Sequence, residues 1–566
     1  MGRPTIGDRA AHSDEQLIQC PVQQQHVWCY DCCWGYLRQN PSEILAEGLW
    51  GEGCPHCRQV EQCPCALSRA DADLLLSQIP ADVWGRGGVL SDQLSVAVRW
   101  AQKVRRQAAL PAGLRRGGAG RQRLEHCNIR ADGEAAEFHE KTILGRHPVV
   151  VSGIHLQLNR ELWCEGNLQR KAGAAPVVVR RLCVDPKDDS VFAILSDHPS
   201  TLEQYLSLSG CQTPEYPVDD FDVGKAEKHG LRITTYLKDF FFRDLYPEWV
   251  VDMEKNIPQY IKTWDCSELL PAQVRPETLM AFIGNHQSRT PMHVDKLGTI
   301  AYNLCVSGGG CKEWWFIHHE DTPLLERIIK YRGGNLWHDN FWVDPKDLES
   351  SGIRHYFVQQ RIGDLVIVPP GVPHQVRNRG TSLAVAANIV HTGTVAISYD
   401  ILKRYRREHV PSVYRLKAQI YCALRDVVSH PSRYPNVLRS PELDWFRTLL
   451  TTFKSTLEEE HLPERLLPLF QLSACPDEVP FLRTCDCCFT DIFNRYLHCE
   501  FCGSIDEPGS DSCVQCFLAN KGGFHEHPLA LFETYSLDHL QQLVNQADVL
   551  LSSAPTVDLC SSSTSC

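Results

Sequence analysis

Arg289-Thr-Pro-Met-His-Val-Asp295, followed by Cys311-Lys-Glu-Trp-Trp-Phe316, is the stretch that decides the fold. His293 and Asp295 are two apart, so on a β-strand both side chains leave one face and can hold one metal ion. A third ligand is offered downstream by Gly363-Asp-Leu-Val-Ile-Val-Pro-Pro-Gly-Val-Pro-His374, where an apolar strand over Leu365 to Val368 meets a Pro/Gly turn. Two histidines and one carboxylate on a β-scaffold suit Fe(II) and leave coordination positions open for a co-substrate and dioxygen. A lone His-x-Asp pair is more often solvated surface. Its neighbours change that reading. Asn303 lies ten residues after His293, Thr290 three before it, and Lys312 follows a Ser-Gly-Gly-Gly turn that places a cation where an anionic keto acid can be gripped.

These residues resemble the Jumonji C family of Fe(II)/2-oxoglutarate oxygenases over roughly residues 145 to 395, from His147-Pro-Val-Val-Val-Ser-Gly to Val390-His-Thr. The resemblance implies an α+β fold with a double-stranded β-helix (cupin or jelly-roll) core, to which the patterns read below add a helical cap and two small flanking zinc-binding domains. It implies iron ligands at His293, Asp295 and His374, and 2-oxoglutarate contacts at Thr290, Asn303 and Lys312. Asn388, fourteen residues after His374, matches a further polar pocket position. Ala386 departs from the pattern, because several members carry Ser or Thr there. The run Gly308 to Cys311 lengthens the turn before the lysine.

At 566 residues the chain should hold about three or four folding units. Hydrophobic content of 43% and charged content of 22% are ordinary for globular protein. No apolar run approaches a membrane span and the start lacks a basic-then-apolar signal segment, so an intracellular protein is expected, with no membrane partner. A net charge of −12 gives no global attraction to nucleic acid.

Over half of the 26 cysteines crowd into two segments with Cys-x-x-Cys spacing, which in a reducing compartment reads as Zn(II) sites. Thiolates two residues apart on a knuckle both reach one zinc at about 2.3 Å. The first segment, 20–70, supplies Cys29/Cys32, Cys54/Cys57, Cys63 and Cys65; it resembles the four-CXXC zinc fingers, with the usual upstream pair missing, so either the finger is degenerate or the gene model begins late. A basic linker over 99–130, including Arg105, Arg106, Arg115 and Arg116, is either a solvated charge run or an arm for nuclear localisation or phosphate contact, possible DNA binding included.

From Thr142 the chain reads as strand-rich, and Leu231 to Met253 as helices laid against the sheet. Leu237-Lys-Asp-Phe-Phe-Phe-Arg-Asp-Leu-Tyr-Pro247 resembles the Hairless-type branch of Jumonji demethylases, while Trp337 to Val366 resembles the UTX type. Of Trp314, Trp315, Phe316, Trp337, Phe341, Trp342 and Tyr356, most read as core, with some available to face a methylammonium cation. His318 and His319 read as strand-end surface. Residues 396–475 read as the helical cap. Cys485/Cys488, Cys499/Cys502, Cys513/Cys516 and His525-Glu-His527 can hold two zincs, with Cys487 spare; this segment, 484–530, resembles the ZZ-type finger, which implies peptide binding, histone tails among the candidates. A Ser-rich tail over 552–566 reads as disordered.

The function expected is a nuclear histone lysine demethylase. Two alternatives stand beside it: a Jumonji protein hydroxylase, or a non-catalytic chromatin adaptor.

Overall fold

The computed structural model describes residues 17–19, 27–29, 110 and most of 123–553; the longer stretches left out within that span are 131–134, 185–191, 210–231, 504–507 and 520–526. The chain divides into two compact units. The first comprises Met1–Gly120 with Pro323–Ile353. It contains a two-stranded antiparallel sheet of β1 (Leu17–Gln19) and β2 (Val27–Cys29). It also contains a bidentate ion pair in which Arg332 Nε and Nη2 donate to Asp347 at 2.9 and 2.8 Å.

The second unit, Arg121–Thr322 with Arg354–Cys566, holds the oxygenase-like motifs. Its strands in chain order are β3 (Arg123–Leu124), β4 (Cys127–Arg130), β5 (Val149–Ser152), β6 (Pro176–Val184), β7 (Phe192–Thr201), β8 (Arg232–Phe241), β9 (Leu279–Gly284), β10 (Arg289–His293), β11 (Ile300–Gly308), β12 (Cys311–Ile317), β13 (His355–Gln360), β14 (Leu365–Val368), β15 (His374–Arg379) and β16 (Ser382–Ile389). They form a nine-stranded sheet, β4-β5-β14-β11-β16-β9-β8-β6-β7, and a five-stranded sheet, β10-β15-β12-β13-β3. Mixed α/β content with extensive antiparallel pairing is consistent with the cupin-like core expected.

Period-two patterning explains why two sheets form and which way each faces. On β11, Ile300, Tyr302, Leu304 and Val306 join an outer core, whereas Ala301 joins an inner one. The adjoining β14 splits likewise, Leu365 and Ile367 outward, Val366 and Val368 inward. From the smaller sheet, Trp314, Phe316, Tyr356, Val358 and Val376 meet that inner core. Asn303, Lys312 and His374 therefore share the inward face. Helices α1 (Glu165–Ala172), α2 (Leu202–Ser209) and α3 (Pro247–Asn256) cover the outer face of the larger sheet. There Trp249 of α3 stacks on Trp163 and Tyr246, with centroids 4.4 and 4.8 Å away.

Two sequence expectations need correction here. Residues 232–241, read as helix, form β8, antiparallel to both β6 and β9, because Thr234, Thr235 and Tyr236 are β-formers and their alternation matches the sheet's two faces. Arg123–Leu124 and Cys127–Arg130, read as basic linker, are strands; Leu124 packs against the inner core and Cys127 against the outer one.

After the last core strand come α4 (Val395–Glu408), α5 (Leu416–Ser429) and α6 (Glu442–Glu459). A four-stranded sheet follows, ordered β17 (Leu472–Ala474), β20 (Ala530–Glu533), β18 (Arg495–Gly503), β19 (Pro508–Cys513). Helix α7 (Leu537–Ser552) closes the described chain, and the tail beyond Ser553 lies outside the described residues. Among the described residues no helix is long and apolar enough to cross a membrane.

A buried ion pair joins the helices to this last sheet. Lys417 Nζ lies 3.0 Å from Glu460 Oε1, and the Glu460 carboxylate also accepts the backbone N–H groups of Phe493, Asn494 and Arg495. Removing the carboxylate strands a buried ammonium and three amides; removing the ammonium leaves the carboxylate held by those amides. Glu460→Ala is therefore expected to cost about 3–5 kcal/mol in urea unfolding, and Lys417→Met clearly less.

Candidate metal centre and anion pocket

His293 reaches the inner face through an irregularity in the pairing. Thr290 lies opposite Val376 and His293 opposite His374, so three steps along β10 match two along β15. This one-residue β-bulge puts Thr290 and His293 on the same face despite their odd spacing. Asp295 follows the strand end. The ligand atoms of His293, Asp295 and His374 all lie within 4.8 Å of one another. Asp295 Oδ1 is 3.7 Å from His293 Nε2 and 3.8 Å from His374 Nε2.

The imidazoles are oriented for metal. His293 Nδ1 lies 2.8 Å from the Pro291 carbonyl and His374 Nδ1 3.1 Å from the Val372 carbonyl. With Nδ1–H donating to those oxygens, each Nε2 lone pair is turned into the gap shared with Asp295. Trp314 and Phe316 stack on the His374 ring at 5.8 and 5.6 Å and restrict its rotation. Two imidazole nitrogens and a carboxylate, close enough to share one ion, are a donor set that fits Fe(II).

Lys312 sits farther along the same inward face. It is 2% exposed, and its Nζ lies between the rings of Phe282 and Trp314, at 5.6 and 5.5 Å from their centroids. Among the described residues no carboxylate pairs with it. Burial pushes its pKa down to about 8, opposed by the nearby Cys305 thiol. Burial in turn raises the Cys305 thiol to about 11. A desolvated cation facing aromatic rings is an acceptor site for a small carboxylate.

Asn303 and Thr290 lie on the same inward face. Asn303 Oδ1 accepts from Gln360 Nε2 at 3.2 Å, and Gln360 Oε1 accepts from Trp314 Nε1 at 3.0 Å. Thr290 Oγ1 donates to Tyr236 Oη at 3.3 Å. The Asn388 side chain is hydrogen-bonded to Tyr414, whose ionisation is pushed up by burial and by the charge of Asp295. Ala386 pairs with Asn303 across the strands, so no hydroxyl stands there. Sequence reasoning missed Tyr236, Gln360 and Tyr414. The first fell in a stretch read as helix, and the other two are joined to the site only by tertiary packing. His318 and His319, read as surface, are half-buried and stack on each other at 4.7 Å, and burial lowers both.

Residues 280–389 match the family model described as JmjC domain, hydroxylase. The chain carries a JmjC domain. The matched span encloses the triad together with Thr290, Asn303, Lys312 and Asn388. Over 372 residues the chain is 29% identical to C-module-binding factor A of Dictyostelium discoideum, covering 62% of this chain and 36% of that protein. It is 27% identical over 168 residues to the 2-oxoglutarate and iron-dependent oxygenase JMJD4 homolog of Drosophila melanogaster, covering 30% and 37%. It is 24% identical over 367 residues to lysine-specific demethylase 3A of Homo sapiens, covering 50% and 25%. The matches thus span about a third of the length of these relatives or less.

Beyond the JmjC domain the C-terminal cysteines gather into two groups. Cys485, Cys488, Cys513 and Cys516 are buried with their sulfurs within 4.8 Å; Cys499, Cys502 and His527 form a second, more open group. The first and third pairs thus share one site and the second pair goes with the histidine. Backbone amides of Cys513 and Cys516 donate to Cys485 Sγ and Cys513 Sγ at 3.3 and 3.4 Å, as around thiolate that carries negative charge. Four sulfurs can hold zinc. His525 lies outside the described residues, as do Cys32, Cys54, Cys57, Cys63 and Cys65 and the side chain of Cys29.

The depressed Lys312 pKa gives a signed expectation for the JmjC pocket. Below about pH 8 the ammonium is charged and attracts a dicarboxylate; above it the charge is lost. Affinity for 2-oxoglutarate, measured by calorimetry, should fall as pH rises through about 8, approaching roughly tenfold per unit, and Lys312→Met should bind weakly with a flat profile.

Proposed function

We propose that the protein is an Fe(II)/2-oxoglutarate-dependent dioxygenase that demethylates lysine in histone tails in the nucleus. The observation that carries the oxygenase reading is the pairing, on one inward face, of a two-histidine, one-carboxylate cluster with a buried ammonium lacking a carboxylate partner among the described residues. His293, Asp295 and His374 would hold the iron. Lys312, Thr290 and Tyr236 would bind the distal carboxylate of the keto acid, and Asn303 and Asn388 would orient its other end. Once loaded, Fe(II), 2-oxoglutarate and dioxygen together supply the oxidising power to hydroxylate a C–H bond, with succinate and carbon dioxide released. The protein's own contribution is position and exclusion of water: the inner apolar core closes one side, and Trp314 and Phe316 keep His374 fixed.

The step from oxygenase to demethylase is supported by the similarity to a protein named lysine-specific demethylase 3A and by the aromatic content of the pocket region. Hydroxylation of an N-methyl group gives a carbon that leaves as formaldehyde. The two C-terminal cysteine groups, as zinc sites, and the N-terminal cysteines and basic stretch would supply peptide and DNA contacts to chromatin. A second reading, protein hydroxylation, is favoured by the similarity to a protein named as an iron-dependent oxygenase.

Incubation of the full chain with Fe(II), 2-oxoglutarate and methylated histone H3 peptides is expected to release formaldehyde in step with succinate. Succinate with a peptide gaining one oxygen would instead establish the hydroxylase. His293→Ala should lower either activity below about 1% of the parent, since even partners that only orient a ligand are worth 10- to 100-fold.

A further inference from the structure

Helix α4 touches both loops that carry metal ligands. Its Tyr405 hydroxyl accepts the N–H of Leu297 at 3.2 Å, two residues beyond Asp295. Leu297 and Gly298 both have left-handed backbone, with φ of 55° and 59°, and Gly298 N closes the turn onto Asp295 O at 2.7 Å. Ile401, one helical turn before Tyr405, packs against both this turn and the one before His374. A Cβ on Gly298 would run into Ile401 Cδ1, and one on Gly371 would lie 3.3 Å from that same methyl. The two turns also approach each other directly, a Cβ on Gly298 lying 3.2 Å from the Gly371 backbone, and Ile397 and Ile401 of α4 pack over that junction of the loops bearing Asp295 and His374.

The end of α4 that carries Tyr405 leads directly into the segment that holds the four-cysteine group. Arg406, next to Tyr405, donates through Nη2 to Glu459 Oε2 at 3.0 Å, and its guanidinium also feels the charge of Cys513 and Cys488. His409, which ends α4, meets the ring of Phe489 edge-on at 6.4 Å, and Ser412 N donates to Phe489 O at 2.9 Å. Phe489 directly follows Cys488. Arg415 holds the approach to Cys485: Nη1 donates to Arg483 O and Thr484 Oγ1 at 2.9 and 2.8 Å, and Nη2 to Leu482 O at 2.8 Å. Both flanks of the first cysteine pair are therefore hydrogen-bonded to Ser412 and Arg415 in the segment after α4, and His409 at the helix end adds a ring contact.

We infer that a thiolate-bound metal such as zinc at Cys485, Cys488, Cys513 and Cys516 sets the geometry of the His293, Asp295 and His374 site through α4, so that the two metal sites are coupled in free energy. Tyr405 and Ile401 are positioning residues in this arrangement. When the four sulfurs hold an ion, residues 482–489 are pinned and the end of α4 has a fixed partner. Without it Phe489 and Arg406 lose their anchor, and the Tyr405 bond to the Asp295 turn loosens one residue away. By linkage, each metal then binds more weakly when the other site is disrupted.

The inference rests on the triad being a metal site, and the test separates the two. Mn(II) is the probe, because a hard ion takes imidazole and carboxylate rather than thiolate. Binding to the purified full chain is followed by electron paramagnetic resonance, with zinc content measured on the same samples. His293→Ala should abolish Mn(II) binding; retention would overturn the triad reading itself. Tyr405→Phe should weaken Mn(II) binding by roughly 5- to 50-fold with zinc content unchanged. Cys516→Ser should lose one zinc and weaken Mn(II) binding comparably, and the double variant should be little worse than either alone. Fully additive losses, or Mn(II) affinity indifferent to zinc loss, would overturn the coupling. If Cys516→Ser does not fold, as judged by circular dichroism, Arg406→Met keeps all four thiols and replaces it in the same cycle.

Discussion

Much of the second unit depends on one register, His293 opposite His374 across a one-residue bulge. The two strands contribute the imidazoles from opposite directions, β10 at its end and β15 at its start, so the ligands meet at a single edge of the smaller sheet. Take out the bulge and His293 would face away from Thr290, with the inner core intact but the cluster dispersed. The alternation of every neighbouring strand follows the same inside-outside division, so a shift of register there would also expose Trp314, Phe316 and Val376.

What was legible in the sequence was local. A histidine after a Pro/Gly turn and a lysine after a glycine run each state a geometry within a few residues, whereas His-x-Asp reads as two positions on one strand and Asp295 instead lies past the end of β10, in the turn after it. The structure brings Thr290, Asn303, Lys312 and Asn388 onto the same inward faces. The supporting partners were not legible, because Gln360 reaches Asn303 across 57 residues of chain and Tyr414 reaches Asn388 from beyond a helix. Residues 232–241 misled because aromatic residues serve helix packing and strands equally, and only the pairing with β6 and β9 decides between them. The grouping of cysteine pairs was open for a similar reason. The hairpin of β18 and β19 carries Cys499 and Cys502 toward its tip and returns Cys513 opposite Tyr496 at its base, beside the first pair.

The helices after the core do more than cover it. Charge runs from half-buried Arg406 and Glu459 through buried Lys417 and Glu460 to the amides of residues 493–495, tying three helices to the last sheet. Such pairs contribute little net stability over apolar substitutes but tolerate few alternative arrangements. They suit an element whose task is to hold two loops at a fixed distance.

Lys312 has a consequence for the protein as a whole. A cation enclosed by rings is an electrostatic liability until an anion joins it, and on the proposed function that anion is a metabolite. Whatever binds only the folded form stabilises it in proportion to the logarithm of its concentration. The supply of keto acid would then govern how long each molecule survives unfolding and proteolysis as well as how fast it turns over, making the polypeptide's abundance a slow readout of metabolic state.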